Sequence, residues 1–177
     1  MVGAGPSGLS VALAMRTAGL PFDGVEAGST VGGLWNWDNP GTAIYESAHF
    51  ISSSSRSGWA DLPMPDHFPT YPRWWEIRDY IHGWAAHHGL AASYEFDTRV
   101  DHAEPVETPD GERWDVTFAT GERRRYFGVV ACPGFQRVPN QPSYPGSFAG
   151  IERHSQSYKL SDEFRGKRVL IVGAGNS

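Results

Sequence analysis

Gly3-Ala4-Gly5-Pro6-Ser7-Gly8 runs without a break into Leu9-Ser10-Val11-Ala12-Leu13-Ala14-Met15, and Glu26 stands eighteen residues past Gly8. In a G-x-G-x-x-G turn that opens a helix, each glycine has its own use. One makes the tight turn, one lets a pyrophosphate approach the backbone, and one lets the helix pack close to a sheet. The helix start then offers free N–H groups and the positive end of its dipole, so Gly3, Gly5, Pro6, Ser7 and Gly8 form a candidate phosphate cradle. A carboxylate at the end of the next strand accepts hydrogen bonds from ribose hydroxyls, which assigns that role to Glu26 and favours an unphosphorylated adenosine ribose.

Working outward, residues 3–19 read as a glycine turn and a helix stopped at Gly19, and a short strand is expected around Phe22 to Glu26. Residues 28–71 turn to Gly, Ser, Pro, Trp and Asp with no period, which reads as a long ordered loop. A second helix is expected over 72–88, with Trp74, Ile77, Ile81, Trp84 and Ala85 on its core stripe and Gly89 ending it. Between Tyr94 and Val130 short alternating runs predict a β-meander, with a turn at Thr120-Gly121 and a strand through Tyr126 to Ala131. The run Lys167 to Val172, apolar from Val169 onward, reads as a buried strand leading into a second partial glycine motif, Gly173-Ala174-Gly175-Asn176-Ser177. Of that motif, Gly173, Gly175 and Ser177 are the candidate binding residues. Two such motifs imply two dinucleotides, the arrangement that hydride transfer from nicotinamide to flavin requires.

Composition excludes several classes. The 177 residues are 40% hydrophobic and 20% charged, ordinary for a globular chain. A net charge of -5 argues against a nucleic-acid partner, and the basic run Arg123 to Arg125 reads as a solvated hairpin face. Cys132 is alone, so no internal disulfide or CxxC pair is available; a reducing, cytoplasmic setting is the expectation, and disulfide-reductase chemistry is disfavoured. His82, His87 and His88 invite a metal reading, but adjacent histidines leave a helix on different sides and no carboxylate completes a set. No apolar run approaches the ~18 residues of a membrane span.

Further stretches carry a resemblance. They are Gly32-Gly33-Leu34-Trp35, Asp61-Leu62-Pro63-Met64-Pro65, Tyr71-Pro72, Ala131-Cys132-Pro133-Gly134 and Pro139-Asn140-Gln141-Pro142. Above all, Phe148-Ala149-Gly150-Ile151-Glu152-Arg153-His154-Ser155-Gln156-Ser157-Tyr158 fits the pattern FxGxxxHxxxY, with Lys159 directly after it. Together with the glycine start, the chain resembles the flavin-containing monooxygenases, a class B group using FAD and NADPH, over essentially its whole length. The resemblance implies an α/β fold: a Rossmann-like FAD-binding domain over 1–166, with inserted loops, a small β-meander and a truncated first strand. The first strand of a truncated second Rossmann domain, the NADPH-binding one, would begin at 167–177. It implies hydride transfer from NADPH to FAD, oxygen addition at the flavin C4a carbon and delivery of one oxygen atom to a soft nitrogen or sulfur nucleophile. The partners are then a small amine or sulfide and O2.

By the same resemblance, Gly33, Leu34 and Trp35 would lie along the flavin, and the loop Ser52 to Arg56 would approach its reactive side. Here the chain departs from the family. Many members carry Asn in that loop where this chain has Ser52-Ser53-Ser54-Ser55, and a hydroxyl supplies one donor where an amide supplies two. Ser53 and His154 are the catalytic candidates, although no side chain need act as nucleophile and a lone histidine is more often a hydrogen-bonding residue. Baeyer-Villiger monooxygenases usually carry Trp at the position of Tyr158, so the resemblance favours N- or S-oxygenation. Two alternatives stand beside this reading: a Baeyer-Villiger-type relative, and a non-catalytic dinucleotide-binding fragment. Met1-Val2 looks too short to supply the ladder of a central strand, so the chain by itself is expected to be marginally folded and not to turn over NADPH.

Overall fold

Pro6 at the first helical position and Gly19 beyond the last bracket a helix that needs no other signal, and it forms over Pro6–Thr17 as α1. In the computed structural model, which describes residues 1–39 and 41–175, the further elements are β1 (Gly24–Val25), β2 (Gly58–Trp59), β3 (Leu62–Pro63), α2 (Trp74–His87), β4 (Tyr94–Glu95), β5 (Val100–Thr108), β6 (Gly111–Phe118) and β7 (Arg123–Tyr126). Two compact units divide the chain: Met1–Gly33 with Asp79–Gly134, and Leu34–Arg78 with Phe135–Ser177.

In the first unit a short parallel sheet is built around Val2. β1 pairs with β4 in parallel, and Val2 makes parallel bridges to both Val25 and Ala131. The spatial order is therefore Tyr94, Val25, Val2, Ala131, the 3-2-1-4 order of a doubly wound sheet. This corrects the expectation that Met1-Val2 could not supply a central ladder. The Val2 N–H donates to the Val130 carbonyl (2.9 Å) and the Val2 carbonyl accepts from Cys132 (2.8 Å). On the other side Met1 O accepts from Val25 (2.9 Å) and Gly3 N–H donates to Val25 O (2.8 Å). A parallel ladder needs one donor and one acceptor on each side, and two residues with their neighbours provide them.

β5, β6 and β7 form the expected antiparallel meander, with Thr108 opposite Gly111 at the first hairpin and Thr117 opposite Arg123 at the second. The last strand starts and ends earlier than the predicted Tyr126 to Ala131. Its register carries Arg123–Tyr126 along β6, after which the chain leaves the meander so that Ala131 can join Val2. Val25, Val116 and Phe118 form one buried cluster, with Val2, Val100, Ala103, Tyr126 and Val129 packed on it. The basic run is largely consumed internally: Arg124 is paired with Glu95 and Glu122, and Arg125 with Asp115, whose carboxyl the guanidinium holds below its usual range.

α2 buries Ile77, Ile81, Trp84 and Ala85 as its stripe predicts, but Trp74 is only partly covered and Trp75 is exposed. In the second unit β2 and β3 make a two-stranded ribbon inside what is otherwise ordered loop. Residues 167–172 form no strand. Leu170 is 89% and Ile171 80% exposed, because among the described residues no neighbouring strand is placed to pair with them. No helix of the described residues is long and apolar enough to cross a membrane.

Candidate functional site

The turn after Val2 is fixed by backbone packing. Gly3 has φ +101°, and a Cβ there would lie 2.3 Å from the Cys132 carbonyl oxygen. A Cβ at Gly8 would lie 1.9 Å from Gly3 O. Both positions therefore need glycine for reasons internal to the fold. Gly5 is different. Its φ of -74° and ψ of -179° suit any residue, and a methyl there would meet only the Gly33 Cα, at the ordinary distance of 3.7 Å. Among the described residues nothing demands glycine at position 5, whereas a phosphate lying against the turn would.

Gly5 is also the N-cap of α1, where no side chain caps the helix. Pro6 has no N–H to offer, so the donors of the first turn are Ser7, which is exposed, and Gly8. The arrangement is an open anion cradle at the carboxyl end of a central strand, where doubly wound sheets bind their ligands.

Glu26 follows β1 and is 8% exposed. Its Oε2 accepts the Ala4 N–H at 2.7 Å and its Oε1 accepts the Gly28 N–H at 2.7 Å. The carboxylate thus ties the glycine turn to the loop after β1, and each oxygen retains a further lone pair for a ribose hydroxyl. The resemblance pointed to Gly33 without showing that it also backs this turn. Gly32 N–H donates to Ala4 O at 2.9 Å, and at Gly33 (φ +56°) a Cβ would stand 2.9 Å from the Gly5 Cα. The Gly32-Gly33 pair was the available signal for one backbone lying on another. A dinucleotide fits these residues: a bare backbone at Gly5, an uncapped helix start and a carboxylate with acceptor capacity left.

Leu34 and Trp35 complete a short 3-10 turn begun at Gly33. In the second unit Trp35 sets its edge against Phe50 (5.6 Å between ring centres), and the Leu34 carbonyl accepts from Thr42 Oγ1 at 2.5 Å. Ser53 lies in the loop ahead of another such turn, its Oγ 3.5 Å from Ser55 Oγ. His154 caps a third, accepting the Gln156 N–H on Nδ1 at 3.1 Å, which places its neutral-ring proton on Nε2. Gln156 in turn donates to the Gln136 and Arg137 carbonyls, so the segment around His154 is tied to residues 136–137 upstream. Gly173 (φ +121°) and Gly175 stand in open space, and Ser177 lies outside the described residues.

Comparison with known proteins finds relatives along the whole chain. The flavin-binding monooxygenase-like family matches residues 1–177. Flavin-containing monooxygenase 3 of Macaca mulatta is 34% identical over 190 residues, covering 100% of this chain and 36% of the relative. Dimethylaniline monooxygenase [N-oxide-forming] 4 of Mus musculus is 34% identical over 191 residues, covering 100% of this chain and 34% of the relative. The chain thus spans about a third of the length of these curated relatives. Among solved structures, a complex of OTEMO with FAD and NADP superposes with a TM-score of 0.76 at 27% identity, over 98% of this chain and 34% of the other. A Rossmann-like glycine turn, an acid directly after its second strand and a match along the whole sequence together show that the chain belongs to the flavin-binding monooxygenase-like family.

Proposed function

We propose that this chain is the FAD-binding part of an FAD-dependent, NADPH-using monooxygenase that oxygenates soft nitrogen or sulfur nucleophiles, with residues 1–166 holding FAD and 167–177 opening the NADPH-binding domain. The observation that carries it is Gly5, a glycine the fold does not need and a pyrophosphate would. When bound, the flavin supplies the redox chemistry, accepting hydride from NADPH and activating O2. The chain's share is binding and orientation. The Ser7 and Gly8 N–H groups would hold the phosphates, Glu26 would take the ribose hydroxyls, and Gly33, Leu34 and Trp35 are the residues proposed for the ring. The solved complex with FAD and NADP supports the pair of cofactors.

Gly5→Ala tests this directly. Its thermal melt is expected to match wild type, since the methyl has room. FAD affinity should fall at least about tenfold, the factor that ~1.4 kcal/mol represents. Unchanged FAD affinity in a normally folded variant would remove the reading. The nitrogen and sulfur preference rests on Tyr158 and is supported by the name of the N-oxide-forming mouse relative. Offered a tertiary amine, a sulfide and a ketone together, a full-length homologue that keeps this Tyr is expected to yield N- and S-oxides; lactones or esters from the ketone, with no N- or S-oxides, would overturn that preference.

A further inference from the structure

Lys159 directly follows the Tyr158 of the family pattern, and its ammonium is turned inward. It donates to the Thr42 carbonyl at 2.6 Å and the Ile44 carbonyl at 2.7 Å, and it lies 5.5 Å from the centre of the Trp37 ring. The Lys159 carbonyl accepts the Glu46 N–H at 2.9 Å, and the Tyr158 ring leans on Tyr45 at 5.3 Å. Residues 42–46 and 158–159 are therefore joined through main chain, side chain and ring at once. The contact continues one step further, because buried Thr42 sends its hydroxyl to the Leu34 carbonyl at 2.5 Å.

Only a long apolar stem ending in several donors can reach two carbonyls behind an indole. Burial also pushes the Lys159 pKa down, as expected of an ammonium whose partners here are carbonyl dipoles and a ring face. Hydrogen bonds from a charged donor are the strong class, and two of them converge on one three-residue stretch.

We infer that Lys159 is a positioning residue: through Thr42 it fixes the Gly33–Trp35 turn in the conformation that lines the flavin, so the end of the FxGxxxHxxxY segment sets the shape of the flavin wall. The inference rests on the flavin reading above, and its test separates the two. In the full chain, hydrogen exchange without FAD is compared for wild type, Lys159→Met and Lys159→Arg. Lys159→Met keeps the stem and loses the donors, and is expected to speed exchange of residues 34–46 by about tenfold, as loss of charged hydrogen bonds allows. Residues 3–8 should be unchanged, and Lys159→Arg should recover most of the protection.

Thr42→Val cuts the second link alone. It should weaken FAD binding by a factor similar to Lys159→Met, and the double variant should be no worse than either single one, the mark of two residues acting on one contact. Unaltered exchange of 34–46 in Lys159→Met, or a rise spread evenly over the chain, overturns the positioning role. Additive losses of FAD affinity overturn the relay through Thr42. Failure of the wild-type chain to bind FAD while exchange at 34–46 still responds would instead remove the flavin reading and leave Lys159 as a clamp of that loop.

Discussion

Gly8→Ala is expected to lower stability by roughly 3 kcal/mol or more, at the upper end of overpacking substitutions. The added methyl would sit 1.9 Å from Gly3 O, 2.9 Å from Gly3 C and 3.3 Å from the Tyr94 hydroxyl. Two of these are backbone atoms, and Gly3 has nowhere to go: its N–H is bonded to Val25 O at 2.8 Å and its own Cα faces the Cys132 carbonyl. Relief would require α1 to lift away from the sheet, uncovering Leu9 and Ala12, both fully buried. Opposing this is the better helix propensity of alanine, worth only about 1 kcal/mol over glycine. The clash wins. For a chain of this size the melting temperature should fall by roughly 6–12 °C, read by far-ultraviolet circular dichroism. A melt within about 2 °C of wild type would show that the helix and sheet are not packed as described.

Gly5→Ala, three residues away in the same motif, carries the opposite expectation, and the difference was not legible in the sequence. The pattern G-x-G-x-x-G assigns three uses to three glycines, but only the positions of Cys132, Gly3 and Gly33 show which are demanded by the fold. What the sequence does carry well is local: α1 with its proline start, the stripe of α2 and the hairpin at Thr120-Gly121 depend on residues close in the chain. What it carries poorly depends on distant partners. Val2 reads as too short for a strand because a run of residues is a proxy for hydrogen bonds, and the actual ladder borrows Met1 O and Gly3 N–H from either side. Lys167 to Val172 reads as a buried strand because apolar β-branched runs usually are, yet burial needs a neighbour and none is in place among the described residues. His154 could be read as a catalytic or as a hydrogen-bonding residue; its Nδ1, occupied by the Gln156 N–H, favours the second. Lys159 closes the most specific stretch of the resemblance, yet nothing near it in the chain gives it a role until Thr42 and Ile44 are brought beneath it.

Glu26 should prove to hold the site together before any nucleotide arrives. Each carboxylate oxygen accepts a backbone N–H at 2.7 Å, one from the glycine turn and one from Gly28, in a place only 8% exposed. Glu26→Gln keeps the shape but replaces one acceptor with an NH2 that must face a backbone donor. One buried N–H is left unpaired, a loss of about 1–3 kcal/mol. Removing a desolvated charge returns part of that, so a net destabilisation of roughly 2 kcal/mol is expected for the chain without FAD. Glu26→Ala strands both N–H groups, and should destabilise more than Gln. The order wild type, Gln, Ala in thermal melts without FAD is therefore the expected result, with FAD affinity falling in the same order. A residue that only met ribose hydroxyls would leave those melts identical, and identical melts would reduce Glu26 to a ligand contact with no part in shaping the glycine turn.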